Sequence, residues 1–210
     1  MKEFGDLFIR SNKSIPIIEK VRSKVHNFWD EKVSALDTFG ISSKEKGHEE
    51  YEEGDIQLLH SVGFNGQGLS YVSPSIVKKN KDLIDKYKIK ISIMIPQGGE
   101  TGVRPANGYR SISGPQILNP GVVDTFSYLN VAFFDTEKEA KNFLEFLTGK
   151  FARYMMRTTF SSVHLSKNNF IFVPAMDFNI RWTDRKLYEY FNLTEEEVTL
   201  IETTMRPIEL

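Results

Sequence analysis

The residues best placed to do chemistry lie between positions 146 and 176, where Lys150, Arg153, Arg157 and Lys167 occur without a single Asp or Glu. On a helix from Phe151 onward, Lys150, Arg153 and Arg157 fall at i, i+3 and i+7 and share one face. Three aligned cations suit a polyanion. The loop that follows, residues 158–169, carries Ser162, His164, Ser166 and Lys167 among further hydroxyls and amides. Those side-chain types bond phosphates and base edges. Charge alone leaves a second reading open: cations near a helix C-terminus complement the macrodipole, and the loop is then merely solvated.

Residues 96–120 form a second candidate. They are rich in Gly and Pro, and they hold Arg104, Asn107, Tyr109, Arg110 and Gln116 with Glu100 as the only acid. Guanidinium forks suit guanine and side-chain amides suit adenine. The expected division of labour is base reading by Arg104, Asn107, Tyr109, Arg110, Gln116 and His164. Phosphate contact then falls to Lys150, Arg153, Arg157, Ser162, Ser166 and Lys167. The competing reading is a disordered loop with no role.

The elements that must position these residues are legible in part. Ser14 and Pro16 predict a helix start, with Ile18, Val21, Val25 and Phe28 as its buried stripe to about Trp29. Residues 33–43 predict a short strand or turn with Leu36, Phe39 and Ile41 inward. Residues 55–62 and 69–72 predict a hairpin, residues 74–87 a helix, and residues 89–95 a half-buried strand with Lys88, Lys90 and Ser92 alternating against the isoleucines. Residues 122–134 read as one long strand. Thr136 and Glu139 form a capping box that opens one main helix running through Tyr154, with Ala140, Phe143, Leu144, Leu147 and Phe151 buried. Residues 170–174 predict a strand, and Thr183 and Thr194 cap two closing helices. The expected fold is α+β, a mixed, largely antiparallel sheet with flanking helices.

The end of the chain resembles a known family. A basic helix is followed by Val163-His164-Leu165-Ser166-Lys167 and Phe170-Ile171-Phe172-Val173-Pro174. After these come Asp177-Phe178, Trp182-Thr183-Asp184, Leu187-Tyr188-Glu189-Tyr190-Phe191, and Ile201-Glu202 with Arg206-Pro207. This order is similar to the C-terminal target-recognition domain of adenine-specific DNA methyltransferases of type II restriction-modification systems, fused restriction enzymes included. Upstream the resemblance is looser, on residues 39–43 and 134–137. It implies residues 1–12 as a linker and 13–210 as one domain that binds double-stranded DNA. It also implies that S-adenosylmethionine and the chemistry belong to a separate catalytic methyltransferase domain of the same parent chain.

Composition and missing motifs agree with that division. The 210 residues carry 27 Lys and Arg against 28 Asp and Glu, a formal net charge of −1, so a nucleic-acid surface must be local. Without cysteine there are no disulfides or thiolate metal sites, and no apolar run approaches a membrane span, which predicts a cytoplasmic protein. Phe64-x-Gly66-x-Gly68 has the shape of a cofactor loop, but its predicted context is strand, turn, strand, whereas a nucleotide loop opens a helix. The acceptor motif of an N6-adenine methyltransferase, Asn, Asp or Ser before Pro-Pro and an aromatic, is absent; Asn119-Pro120-Gly121-Val122 comes nearest. The expectation is therefore no catalytic residue, no metal and no cofactor within this stretch. Two other classes remain: a metal-dependent restriction endonuclease, although no Asp and Glu-x-Lys set stands out, and a protein-interaction module using the C-terminal helices.

Overall fold

The structure is a computed structural model that describes residues 9–61, 68–96 and 105–208. Among these are five α-helices and six strands: α1 (Ile15–Lys24), β1 (Ile56–His60), β2 (Gly68–Val72), β3 (Tyr87–Ser92), β4 (Gln116–Leu118), β5 (Val122–Asp124), β6 (Tyr128–Phe134), α2 (Glu137–Thr148), α3 (Lys150–Arg157), α4 (Asp184–Tyr190) and α5 (Glu195–Thr204). The α+β class is as expected, but the strands form two three-stranded sheets rather than one.

The first sheet is mixed, in the order β2-β1-β5. β1 and β2 are antiparallel, pairing Ile56 with Val72 and His60 with Gly68, and β5 lies parallel to β1 with Leu58 opposite Val123. The second sheet, β4-β3-β6, is antiparallel throughout. The segment read as one long strand breaks at residues 125–127. Its first part joins one sheet and its second part the other, so this turn is the shortest-range link between them together with residues 119–121, which lead from β4 back to β5.

One face of the second sheet presents Ile89, Ile91, Leu129 and Val131 to the main core. There Trp29, Phe143 and Phe178 pack at ring separations of 4.6 to 5.2 Å, with Phe178 edge-on to both partners. Each such ring, fully buried, stabilises the fold by roughly 1.5–3 kcal/mol. A register shift in the β3–β6 pairing passes Val131 by, and the Val131 carbonyl accepts a bond from the Trp29 indole at 2.7 Å. This ties the N-terminal segment to the sheet.

The other face corrects the half-buried reading of β3. Lys88 and Lys90 are 0% and 1% exposed. The Lys88 ammonium donates to the carbonyls of Ile84 and Lys86 at 2.6 and 2.7 Å, and Lys90 lies over the Tyr128 ring at 4.5 Å. Buried Asp124 is their counter-charge, and its two oxygens accept from the Asn130 amide at 3.0 and 2.8 Å. Alternation of polar and apolar residues along a strand records two chemically different environments, and here both are interior.

Other local expectations fail for identifiable reasons. Residues 74–87 form two 3-10 turns, Pro74–Ile76 and Lys81–Leu83, because Asn80 adopts a left-handed conformation (φ 49°) that no helix accommodates. Residues 170–174 are not a strand: the Ser166 and Asn169 side chains form a capping box for a 3-10 turn, Lys167–Phe170, and the chain then turns so that Phe172 and Val173 are both buried. Helix α1 ends at Lys24 rather than near Trp29, and Leu36 is exposed while Phe39 and Ile41 are buried. The caps at Thr136, Thr183 and Thr194 form as expected, and Thr194 with Glu197 closes a full capping box; at Thr136 the box is incomplete, because the Glu139 carboxylate accepts from the Thr136 hydroxyl at 2.6 Å and not from its backbone amide.

Candidate nucleic-acid interface

The predicted main helix is interrupted at Gly149, whose extended backbone (ψ 157°) separates α2 from α3. Asp184, the first residue of α4, caps the new helix start. Its carboxylate accepts from the backbone amides of Lys150 and Phe151 at 2.8 and 3.0 Å. A Cβ at position 149 would stand 2.7 Å from that carboxylate, so glycine is what lets α4 approach.

This arrangement changes the role of the three aligned cations. Arg153 is 0% exposed. Its guanidinium donates to the carbonyls of Thr148 and Gly149 at 3.0 and 3.1 Å, of Arg110 at 3.0 Å and of Arg206 at 2.8 Å. It is a four-way clamp between α3, the 105–114 segment and the C-terminal strand-like tail, and it cannot also meet a DNA phosphate. Arg157 is 8% exposed and stacks on the Tyr109 ring at 3.2 Å. Lys150 pairs with Glu202, which also accepts from the Tyr188 phenol at 2.8 Å. Burial pushes the Glu202 carboxyl upward, but the bonds from Lys150 and Tyr188 outweigh it and hold the group below its ordinary value. Burial, with Asp184 and Glu202 close by, raises the Tyr188 phenol and keeps it protonated as a donor. The expected row of phosphate-facing cations is thus, in the fold, an interlock of α3 with α4, α5 and the tail.

The remaining predicted contact residues divide by exposure. Tyr109 is buried under Arg157, and its backbone bridges to Met205. Arg110 and Gln116 are half-buried, Gln116 within β4 opposite Lys90. Asn107, Ser162, His164 and Lys167 are exposed, and Ser166 is half-buried as a turn cap. Arg104 lies outside the described residues, as do Phe64 and Gly66 of the glycine motif. Gly68, the last of that motif, belongs to β2, which matches the hairpin reading.

The polar loop read as DNA-contacting meets the residues just before the 96–120 segment. Ile95 donates to the Val163 carbonyl at 2.9 Å and Leu165 to the Ile93 carbonyl at 2.8 Å, so residues 93–95 and 163–165 pair as a short antiparallel ladder centred on Met94 and His164. Met94, Val163 and His164 are exposed there, beside Ser162, whose hydroxyl donates to the His164 carbonyl at 2.9 Å. Leu165 and Ile95 point the other way into the core and anchor the edge. The edge offers apolar, hydroxyl and imidazole groups together on backbone held by the core.

Sequence reasoning missed two features. One is the Asp184 cap, for which Thr183-Asp184 gave only a helix-start signal. The other is a cavity of about 260 Å³ lined by Arg10 and Arg157, whose contributors are 147 positions apart and share no local pattern. Among the described residues no group of three or more His, Asp or Glu converges in a way that could hold a metal, and no helix is long and apolar enough to cross a membrane. Comparison with known proteins finds no matching family model, curated relative or solved structure.

Proposed function

We propose that this chain binds duplex DNA as the target-recognition domain of an adenine N6-methyltransferase or a fused restriction-modification enzyme. The methyl donor and the transfer chemistry belong, in this proposal, to a separate domain of the parent protein. The observation that carries it is the ladder between residues 93–95 and 163–165. It sets the residues leading into the long Gly- and Pro-rich segment against the hydroxyl- and imidazole-bearing loop, on one edge anchored in the core. The motif string of the tail supports the same reading, and its Asp184, Tyr188, Glu202 and Arg206 take part in the bonds that brace α3.

In this assignment His164, Ser162 and Asn107 face the bases, and Lys167 meets a phosphate, while Arg153 and Lys150 hold the scaffold. Fixing the duplex in one register lets the catalytic domain extrude its target base, which costs a few kcal/mol, without the recognition domain touching the methyl donor. The test is fluorescence anisotropy of a labelled duplex across a salt series. Binding should weaken steeply with salt, and Lys167→Ala should lower the logarithmic slope by about 0.9, the value for one phosphate contact. No binding at low ionic strength, or a slope that Lys167→Ala leaves unchanged, would refute the assignment.

A further inference from the structure

The ladder between residues 93–95 and 163–165 sets Met94 directly opposite His164. Its two bonds, from the Ile95 amide to the Val163 carbonyl and from the Leu165 amide to the Ile93 carbonyl, flank that pair instead of joining it. In such a pair the two side chains stand on one face, with Cβ atoms about 4.5–5.5 Å apart. Ile95 and Leu165, 2% and 0% exposed, take the opposite face and enter the core, so Met94 and His164 share the outer one. Met94 is 46% exposed there, and His164 is exposed beside it. We propose that the Met94 and His164 side chains together read one thymine in the major groove, the thioether meeting its 5-methyl group and the imidazole its O4. The inference rests on the DNA-reading proposal and names the base feature that this edge recognises.

The chemistry of the pair matches one base edge. Among the four bases only thymine sets a methyl group beside an acceptor, whereas cytosine presents an amine donor at that place and lacks the methyl. A neutral imidazole carries one N–H donor in either tautomer, and a methionine side chain offers adaptable apolar surface. The pair also stands on fixed backbone. At this kind of ladder position the amide and carbonyl of each residue point away from the partner strand, and serine hydroxyls meet them. Ser92 accepts from the Met94 amide at 3.2 Å, and Ser113 donates to the Met94 carbonyl at 3.4 Å. Ser162 accepts from the His164 amide at 3.2 Å and donates to its carbonyl at 2.9 Å. With these groups satisfied, the edge is a poor template for a further strand, and what it presents is side chains. The surrounding sequence suits a polyanion, since Lys167 follows three positions after His164 and residues 146–176 contain no Asp or Glu.

The test begins with selection of duplexes from a randomised library by the whole chain, followed by fluorescence anisotropy on the enriched sequence with single-base replacements. At one thymine, deoxyuridine, which lacks only the methyl, should weaken binding about fourfold, the worth of one buried methyl group. At the same position 5-methylcytosine paired with guanine keeps the methyl and exchanges the acceptor for a donor, and it should weaken binding about fivefold or more. Met94→Ala should erase the deoxyuridine penalty and keep the 5-methylcytosine penalty, and His164→Ala should do the reverse. Both positions are exposed, and melting curves check that each variant folds. No DNA binding at low ionic strength overturns this inference together with the DNA-reading proposal. DNA binding without a deoxyuridine-sensitive position, or a deoxyuridine penalty that Met94→Ala leaves intact, overturns the thymine assignment alone.

Discussion

Replacing Arg153 by Ala separates a structural role from a DNA-contacting one. The side chain is fully buried and satisfies carbonyls on three separate stretches of chain: Thr148 and Gly149 at the helix break, Arg110 before β4, and Arg206 in the tail. Truncation removes four charge-assisted bonds and leaves the Arg110 and Arg206 acceptors without that donor. At about 1–3 kcal/mol for each buried acceptor left unsatisfied, plus the void of the missing side chain, the expected loss is about 3–5 kcal/mol. At about 2–4 °C per kcal/mol for a chain of this size, the melting temperature should fall by roughly 6–20 °C. Arg153→Lys should recover part of the loss, since an ammonium donates but cannot span the same fork. Circular dichroism melts and urea titrations measure both. If Arg153→Ala melts like the parent chain while DNA affinity drops, the guanidinium serves the ligand and the clamp assignment is wrong.

Two further perturbations probe other parts of the interior. Asp184→Ala removes the acceptor for the Lys150 and Phe151 amides and should cost about 1–2 kcal/mol, read as a lower urea midpoint at unchanged m value, whereas Asp184→Asn should retain most of the cap. Burial lowers Lys88 and Lys90 from 10.5 to about 8, against the opposing charge of Asp124, so above pH 8 the folded chain carries fewer protons than the unfolded one. Their contribution to stability should therefore rise between about pH 8 and 9.5, below the tyrosine range. The Lys88→Met, Lys90→Met double variant should lose that rise in pH-dependent urea unfolding, and an identical slope in parent and variant would place the titrating groups elsewhere.

Local signals in the sequence survived folding where the physics is local. The cap at Thr136 and the box at Thr194 each join residues three apart, and the β1–β2 pairing follows from two short apolar runs on either side of a glycine-containing stretch of sequence. The signals failed where a distant partner decided. Lys88 and Lys90 look like the wet side of a strand until Asp124, Asn130 and the Ile84 carbonyl are brought against them. Residues 122–134 look like one strand because nothing in their apolar pattern records that residues 122–124 pair with β1 and residues 128–134 with β3. The helical wheel was right to put Lys150, Arg153 and Arg157 on one side of α3. It could not show that α5, Tyr109 and the tail cover that side, since those partners come from residues 43 to 53 positions away.

That last failure bears on what a motif string of this kind encodes. Asp184 caps α3, Tyr188 and Lys150 converge on Glu202, and the Arg206 carbonyl closes the Arg153 clamp, so the tail motifs meet in one interlock. Such residues hold a shape, and a shape can stay fixed while the surface it presents varies. On the DNA-reading proposal, discrimination among sites then rests with groups outside the interlock, on the exposed edge at Ser162 and His164 and around Asn107. The interlock still matters to recognition, because base contacts confer specificity only when their backbone is held in register with the duplex. On that proposal Arg153 couples the scaffold to the reading groups: one of its bonds fixes the Arg110 carbonyl, three residues from Asn107, and another fixes the tail that pairs with Tyr109.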